Sequence, residues 1–256
     1  MSLKRYIFSA FTLAEFELRK VRHDTSQIWL RSVQPALWLL VFGTVFSQIR
    51  GITTGPFSYL QFMTPGVLAQ SVMFVAIFYG ITVVWERDLG LLNKLLSTPA
   101  PRSAIVLGKA LSAGVRGIFQ AIAVLALALI IQVHLSLNIL TVLGVFAIII
   151  LLGMCFSSLS MSLAPIFQTR EKMMGVGQAI TMPLFFASNA IYPISLMPGW
   201  LKAIAIVNPL SYVVDAMRAL LVTGDFSSLP QDIFALVITT VVLVTLASLS
   251  FRKILS

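Results

Sequence analysis

The chain has 256 residues, of which 58% are hydrophobic and only 11% are charged, and its mean hydropathy is +0.96. Soluble domains carry about a quarter charged residues, and a globule of this size cannot bury so much apolar surface in one core. The composition therefore excludes a soluble, disordered or disulfide-stapled protein and predicts an integral membrane protein.

The basic residues are unevenly distributed along the chain. There are 18 Lys and Arg against 9 Asp and Glu, a formal net charge of +9. Most basic residues precede the first apolar run or follow the second, fourth and last runs, whereas Arg50, Lys202 and Arg218 fall on the other side. The positive-inside rule then predicts an even number of spans with both termini in the cytoplasm. Because lipid-length segments separate these charges, no nucleic-acid partner is expected.

The first element is an amphipathic segment before the first span. Its apolar residues recur at intervals of three and four, opposite a polar face, and they are Ile7, Ala10, Phe11, Ala14, Leu18 and Val21. Residues 1–30 are therefore predicted to form a helix at the cytoplasmic interface of the membrane, either as a simple anchor or with a functional role.

Six stretches have the length and composition of membrane spans. They are Val33–Ile49, Leu60–Trp85, a third with its uncharged core at Gly117–Val133, Asn138–Ala164, Met173–Ile194 and Asp232–Ser250. The third begins with a basic part, Ala104–Arg116, that is expected to reach into the headgroups or the cytosol. The third and fourth spans should form an antiparallel pair because only a few residues join them.

Prolines interrupt the apolar sequence from Met173 to Val222, at positions 183, 193, 198 and 209. Proline breaks or kinks helices, and Gly199–Val222 is also too polar for a simple span. Within residues 195–230 we therefore expect two short helices that dip partway into the outer leaflet as a re-entrant hairpin.

The chain lacks the usual chemistry of pumps and enzymes. Its acids lie in loops, at span ends or in the broken outer segment, and its two histidines, His23 and His134, give no zinc-ligand spacing. Cys155 and the nearby serines have no histidine close in sequence, so they favour helix packing over nucleophilic catalysis. Gly108-Lys109 is not a phosphate-binding loop, since the preceding glycine and the following hydroxyl residue are missing. Any energy for transport must come from another polypeptide, and no metal or cofactor is expected in this chain.

A short helix is predicted between the second and third spans, within residues 86–102. Leu91, Leu92, Leu95 and Leu96 form an apolar stripe at helical spacing, and Thr98-Pro99 ends the helix. This pattern fits a helix resting on lipid or an apolar knob that docks into a soluble partner.

Four segments together resemble a known family. Glu86–Arg102, Leu107–Leu111, Ser188–Pro193 and Asn208–Arg218 are similar to the permease subunit of type-2 ABC exporters. Among these, the chain is most similar to daunorubicin-resistance-type drug exporters, with nodulation-factor and polysaccharide exporters close behind.

The resemblance implies an all-α integral membrane protein with one transmembrane domain over residues 1–256, in a bacterial or archaeal cell membrane. It implies two copies of an ATP-binding subunit, which bind ATP and Mg, and a second permease that makes a homodimer or a heterodimer. Since ATP hydrolysis would occur in the partner, the chain itself is not expected to be an enzyme.

The resemblance and the residue types together assign three sets of site residues. Coupling to the ATP-binding subunit is assigned to Glu86, Arg87, Asp88, Gly90, Leu91, Leu92, Leu95, Leu96, Thr98, Pro99 and Arg102. A substrate path is assigned to Gln34, Gln70, Phe74, Phe78, Tyr79, Gln178, Thr181, Phe185, Ser188 and Asn189, although helix-to-helix hydrogen bonding explains the polar ones equally well. An outer gate is assigned to Tyr192, Pro193, Asn208, Pro209, Asp215 and Arg218, the last two forming an i,i+3 pair.

The expected function is export of an amphipathic or hydrophobic drug or lipid-like substrate out of the cytoplasm or the inner leaflet. Export of a lipid-linked polysaccharide or lipo-oligosaccharide is an alternative with the same mechanism. A membrane-embedded lipid-modifying enzyme and a non-transporting scaffold are further alternatives.

Overall fold

The computed structural model describes residues 6, 8–15, 26–47, 56–97, 101–167 and 169–251, and their regular structure is helical throughout. Residues 8–15 are helical. The helices that follow are α1 (Ser26–Leu37), a π-helical turn (Trp38–Phe42), α2 (Gly43–Ser47), α3 (Tyr59–Asp88), α4 (Leu91–Leu96), α5 (Arg102–Ile130), α6 (Ile139–Leu163), α7 (Arg170–Phe186), a 3₁₀ turn (Ile194–Leu196), α8 (Gly199–Val207), α9 (Pro209–Arg218), a second π-helical turn (Ala219–Thr223) and α10 (Leu229–Ser250). The all-helical prediction is confirmed for the described residues.

Helix α3 occupies the centre of the bundle. It packs against α5, α6 and α7, and 83% of its most apolar stretch is buried, against 17% for Leu30–Ser47 and for α10. Its start is fixed by a capping box, in which the Ser58 hydroxyl accepts from the Gln61 backbone N–H and the Gln61 side chain accepts from the Ser58 N–H. A central, protein-covered helix is the element best placed to pass a movement from one end of the bundle to the other.

Helices α5 and α6 form the predicted antiparallel pair. They approach so closely that a Cβ added to Gly153 would lie 2.4 Å from the Gly114 Cα. Glycine in both positions permits this contact, as in other membrane helix pairs.

Five described helices are long and apolar enough to cross a membrane, and a sixth is obtained if Gly199–Val207 and Pro209–Thr223 count as one broken span. The predicted fifth span, Met173–Ile194, is wrong in extent. Helix α7 begins at Arg170 and ends at Phe186, and its 17 residues rise only about 25 Å. Pro183 in its last turn has no N–H to donate to the Ala179 carbonyl, which weakens this turn, and turns follow from Ala187.

The two short helices predicted in the outer segment are present as α8 and α9. Their axes meet at 80°. The Asn208 side chain accepts from the Leu210 N–H, and Pro209 is the first residue of α9, so the break has both a cap and a helix-starting proline. Of the residues of α8, Ala205 alone is buried, which shows that this helix packs little against the described rest of the chain.

The bundle has two ends that carry different residues. The Glu86 end carries the end of α3, helix α4 and the beginnings of α5 and α7. The opposite end, here the Asn189 end, carries the beginning of α3, the turn after α7 and the end of α9. The described coupling and gate residues lie at these two ends, and some of the predicted path residues lie between α3 and α7.

Candidate functional site

At the Glu86 end, a tight turn joins α3 to the short helix α4. Gly90 has a φ of +71°, and its N–H donates to the Arg87 carbonyl at 2.9 Å. Glycine adopts this left-handed conformation without steric cost, so it ends α3 and lets α4 start at once. Thr98 and Pro99, assigned to the end of this helix, lie outside the described residues, as does the side chain of Leu96.

The leucine stripe of α4 divides between the core and the surface. Leu92 is fully buried against the bundle, and Leu95 packs partly against the same core. Leu91 is 42% exposed, and the neighbouring Leu89 is 66% exposed. Helix α4 is therefore fixed to its own bundle by Leu92, and among the side chains described at this turn and helix, Leu89 and Leu91 offer an apolar surface to another molecule.

A buried ion pair joins α3 to α5 beside this helix. The Lys109 Nζ lies 2.5 Å from the Glu86 Oε2, and both residues are buried. Such a pair holds two helices together because either charge alone would be costly to bury. The sequence placed Glu86 in the coupling segment but did not predict Lys109 as its partner, since 23 residues separate them.

A second charged cluster joins α3 to α7. The Asp88 carboxylate accepts from Arg87 at 3.0 Å and from Arg170 at 3.3 Å. The Arg170 guanidinium also lies over the Trp85 ring, 5.9 Å from its centroid. Arg170 was not among the predicted coupling residues, whereas Arg102, which was, is the exposed first residue of α5.

Several predicted path residues lie at the interface of α3 and α7, here called the α3–α7 seam. Near the Asn189 end, a Cβ on Gly66 would meet the Ala190 carbonyl oxygen at 2.4 Å. Towards the Glu86 end, a Cβ on Gly177 would lie 3.4 Å from Ile77 Cγ2. Helix α3 is thus in close contact with the turn after α7 at Gly66 and with α7 itself at Gly177.

Gln70 lies between these two contacts, on the same face of α3 as Gly66 and Ile77. It is 1% exposed, and within the described part of the chain neither of its amide atoms has a hydrogen-bond partner. Thr181 and Ser188 are also buried, but their hydroxyls donate to carbonyls of their own segment. Among the described residues, both amide atoms of Gln70 are thus buried without a hydrogen bond, whereas Thr181 and Ser188 are satisfied locally.

The other predicted path residues do not share one cavity. Phe185 is buried with its ring 5.3 Å from that of Trp38. Phe74 and Phe78 contact each other, with ring centroids 4.4 Å apart, and Tyr79 lies under the Arg116 guanidinium. Gln34 is half-buried on α1, and Gln178 is exposed on α7.

At the Asn189 end, Asp215 and Arg218 form the predicted i,i+3 pair, at 3.0 Å. The Asn189 amide donates to the same Asp215 oxygen at 2.6 Å, and Arg218 donates to the Asn189 carbonyl at 2.8 Å. The guanidinium also lies 3.9 Å from the centroid of the Phe62 ring. This cluster ties α9 to both α3 and the turn after α7. It contains Asn189, which had been assigned to the path.

The remaining gate residues hold the turn that follows α7. The Asn208 amide donates to the carbonyls of Leu184 and Ala187, at 2.7 and 3.0 Å. The Tyr192 hydroxyl donates to the Phe186 carbonyl, and burial raises the pKa of this phenol. Pro193 precedes the 3₁₀ turn. These bonds satisfy carbonyls that α7 leaves open at its end.

Within the described ranges, no group of three His, Cys, Asp or Glu residues could hold a metal ion. The candidate site has four parts. At the Glu86 end are the exposed surface of Leu89 and Leu91 and the charged clusters around Glu86 and Asp88. Between the two ends is the Gln70 amide, and at the Asn189 end is the cluster of Asp215 and Arg218.

Comparison with known proteins identifies the family. Residues 9–222 match the family described as ABC-2 type transporter. The chain is 29% identical over 191 residues to a transport permease, ycf38, of Cyanophora paradoxa, a match that covers 73% of this chain and 65% of that protein. It is 26% identical over 189 residues to the daunorubicin resistance ABC transporter permease protein DrrB1 of Streptomyces coeruleorubidus, covering 74% and 66% of the two chains. It is also 26% identical over 210 residues to the inner membrane transport permease YadH of Escherichia coli K12, covering 77% of each chain.

The match to the Cyanophora protein thus spans slightly less than two thirds of that relative's length. The family match, by contrast, extends from the helical segment near the N-terminus to the π-helical turn after α9. Because this match covers most of the chain and its described helices are apolar enough to cross a membrane, the chain belongs to the ABC-2 type transporter family and is a membrane permease.

Proposed function

We propose that this permease is the membrane-spanning part of an ATP-driven exporter that moves an amphipathic or hydrophobic substrate out of the cytoplasm or the inner leaflet. ATP and Mg are bound and ATP is hydrolysed in a separate subunit, present in two copies, and a second permease completes the path. The observation that carries the proposal is the closed α3–α7 seam with the unsatisfied amide of Gln70 inside it.

The amide of Gln70 supports a seam with two arrangements. A buried polar group without a hydrogen bond costs about 1–3 kcal/mol, so the closed seam is disfavoured by that amount at this residue. Opening the seam would expose the amide to water or to a polar group of the substrate. Coupling between distant sites requires an element of this kind, with two discrete packings.

The Glu86 end supports docking of the ATP-binding subunit. Leu89 and Leu91 form the exposed apolar surface, while buried Leu92 holds α4 against the bundle. A push on α4 would reach α3 directly and would reach α5 through the Glu86–Lys109 ion pair. The role first assigned to the whole leucine stripe is therefore proposed for Leu89 and Leu91 as contacts and for Leu92 as an anchor.

The exposed face of α7 supports a second permease copy. Met174, Gly175, Gln178 and Ala179 are exposed on this helix. An amide facing lipid is unfavourable, and small residues favour close helix contacts, so this face suits another protein helix or the path between two copies.

The proposed orientation places the Glu86 end in the cytoplasm, with both termini on that side. This end gathers most basic residues of the described helices, namely Arg87, Lys94, Arg102, Lys109, Arg170 and Lys172, whereas the Asn189 end has Lys202 and Arg218. We propose a bacterial or archaeal cell membrane as the location.

The seam residues support an apolar or amphipathic substrate, because Gly66, Gln70, Ile77 and Gly177 are all uncharged. Asp215 and Arg218 are already paired with each other at the Asn189 end. A hydrophobic drug and a lipid-linked glycan both have a large apolar part, and we propose a substrate of this kind.

Co-purification and ATP hydrolysis test the proposal. The permease is reconstituted with a candidate ATP-binding subunit, and substrate-stimulated hydrolysis is measured for Leu91→Asp and for Leu91→Met, which keeps an apolar surface. We expect Leu91→Asp to abolish stimulation and co-purification while the permease remains monodisperse, and Leu91→Met to retain both. Full stimulation with Leu91→Asp would refute the docking role, and nucleotide hydrolysis by the permease alone would refute the separate energy source.

A further inference from the structure

Tyr59, the first residue of α3, holds the start of this helix to the turn after α7, residues 187–193. The residue is 5% exposed, and its hydroxyl donates to the Ile191 carbonyl at 2.9 Å. Its ring is stacked against those of Phe46 and Phe62, with centroids 5.7 and 6.5 Å away. The two neighbouring rings fix the position of the hydroxyl. The sequence did not predict a role for this residue, since its partner lies 132 residues away.

The turn after α7 is tied firmly to α9. Asn208, the residue before α9, donates to the Leu184 and Ala187 carbonyls at 2.7 and 3.0 Å. The Asn189 amide donates to Asp215 of α9 at 2.6 Å. Each of these bonds is within the normal range of length, so the end of α7, the turn and α9 are joined as one unit.

The same turn is joined less firmly to α3. Besides the Tyr59 bond, the Arg218 guanidinium of α9 donates to the Phe62 carbonyl at 3.4 Å, which is long for a hydrogen bond. Gly66 and Ala190 are in close contact through their backbones. If α3 separates from α7, the turn therefore stays with α9, and the Tyr59 bond is the shorter of these two hydrogen bonds that have to break.

We propose that Tyr59 is a positioning residue whose hydroxyl acts as a latch. It holds the start of α3 to the turn after α7 while the α3–α7 seam is closed, and it is released when the seam opens. The inference rests on the proposed function, because a latch requires a seam that opens. One hydrogen bond of ordinary net strength shifts a two-state equilibrium about fivefold. The latch therefore controls how often the seam opens and does not prevent opening.

Tyr212 provides a matched control. Its hydroxyl also donates to a backbone carbonyl, that of Ile206, at 2.6 Å. This bond joins α9 to the end of α8 and does not cross to α3. In both Tyr59→Phe and Tyr212→Phe one hydroxyl is removed and the ring is kept. A difference between the two variants therefore reports where the lost bond lies.

Hydrogen–deuterium exchange tests the latch in the complete transporter, reconstituted with its ATP-binding subunit in lipid nanodiscs. Exchange of the backbone amides of residues 187–193 is followed by mass spectrometry, first without nucleotide and then after trapping with ATP and vanadate. Without nucleotide, we expect this segment to exchange about fivefold faster in Tyr59→Phe than in the wild type, and Tyr212→Phe to match the wild type. After trapping, when the bond is already broken, we expect Tyr59→Phe and the wild type to exchange equally fast.

Two results would overturn the latch. Faster exchange of Tyr59→Phe in both states would show that the hydroxyl stabilises the fold without controlling the seam. Equal exchange of Tyr59→Phe and the wild type without nucleotide would show that the bond does not hold the turn. Failure of the proposed function has a different signature. Wild-type exchange in residues 187–193 that does not change on trapping would refute the opening of the seam, and the latch with it, before any variant is compared.

Discussion

The ion pair between Glu86 and Lys109 gives a quantitative test of how α3 and α5 are joined. Both residues are buried, and the charged atoms are 2.5 Å apart. Lys109→Met removes one charge and leaves the Glu86 carboxylate in a site that water reaches poorly. Breaking a buried pair in this way costs about 3–5 kcal/mol, and the lower part of that range applies here because the Glu86 side chain remains 11% exposed.

The double variant Glu86→Gln/Lys109→Met should recover most of that loss, because neither residue then carries a buried charge. The measurement is the thermal unfolding midpoint of the purified permease in detergent, followed by ATP hydrolysis with the partner subunit. We expect the order wild type, double variant, single variant. A single variant as stable as the wild type, or a double variant less stable than Lys109→Met, would refute the inference that the two charges support each other.

Three further predictions concern the opposite end of the bundle and α8. Gly66→Ala should lower the unfolding midpoint, since its Cβ would meet the Ala190 carbonyl at 2.4 Å, whereas Gly199→Ala, with nothing within 4 Å, should not. Arg218→Lys should destabilise the protein by about 1–3 kcal/mol, because lysine keeps the charge but loses the planar contact with the Phe62 ring and part of the hydrogen bonding. An unchanged unfolding midpoint would show that the cluster of Asp215, Arg218 and Asn189 does not contribute to stability. Trp200 is 69% exposed on α8, a helix that the rest of the bundle hardly covers. In a variant with the other tryptophans replaced by phenylalanine, we expect brominated lipids to quench the fluorescence of Trp200. Quenching by aqueous iodide alone would show that α8 lies in water.

The membrane class and most of the helices could be predicted because hydropathy measures transfer into lipid directly. Helices α3, α5 and α6 follow the predicted apolar runs, and the i,i+3 spacing of Asp215 and Arg218 placed them in contact. These features depend on local sequence alone.

The end of α7 and the division of the leucine stripe depend on packing that hydropathy does not describe. The apolar run continues past Phe186, but Pro183 removes a hydrogen-bond donor and the Asn208 side chain bonds the open carbonyls. In α4, helical spacing grouped Leu91 with Leu92, although only Leu92 faces the core.

The partner of Glu86 was also beyond prediction from sequence. An acid at the end of an apolar span could be satisfied by water, by a headgroup or by a basic residue on any neighbouring helix. Only the packing of α5 beside α3 selects Lys109. The burial of the Gln70 amide without a hydrogen bond is likewise visible only once the helices around α3 are in place.

Opening of the α3–α7 seam during transport, as proposed above, can be tested with a reversible cross-link. Ile77→Cys and Gly177→Cys are introduced with Cys155 replaced by serine, because a Cβ on Gly177 would lie 3.4 Å from Ile77 Cγ2, within reach of a disulfide. Substrate transport by the reconstituted complex is then measured before oxidation, after oxidation and after reduction. We expect the disulfide to stop transport and reduction to restore it. Full transport with the seam cross-linked would refute the proposal that the seam opens.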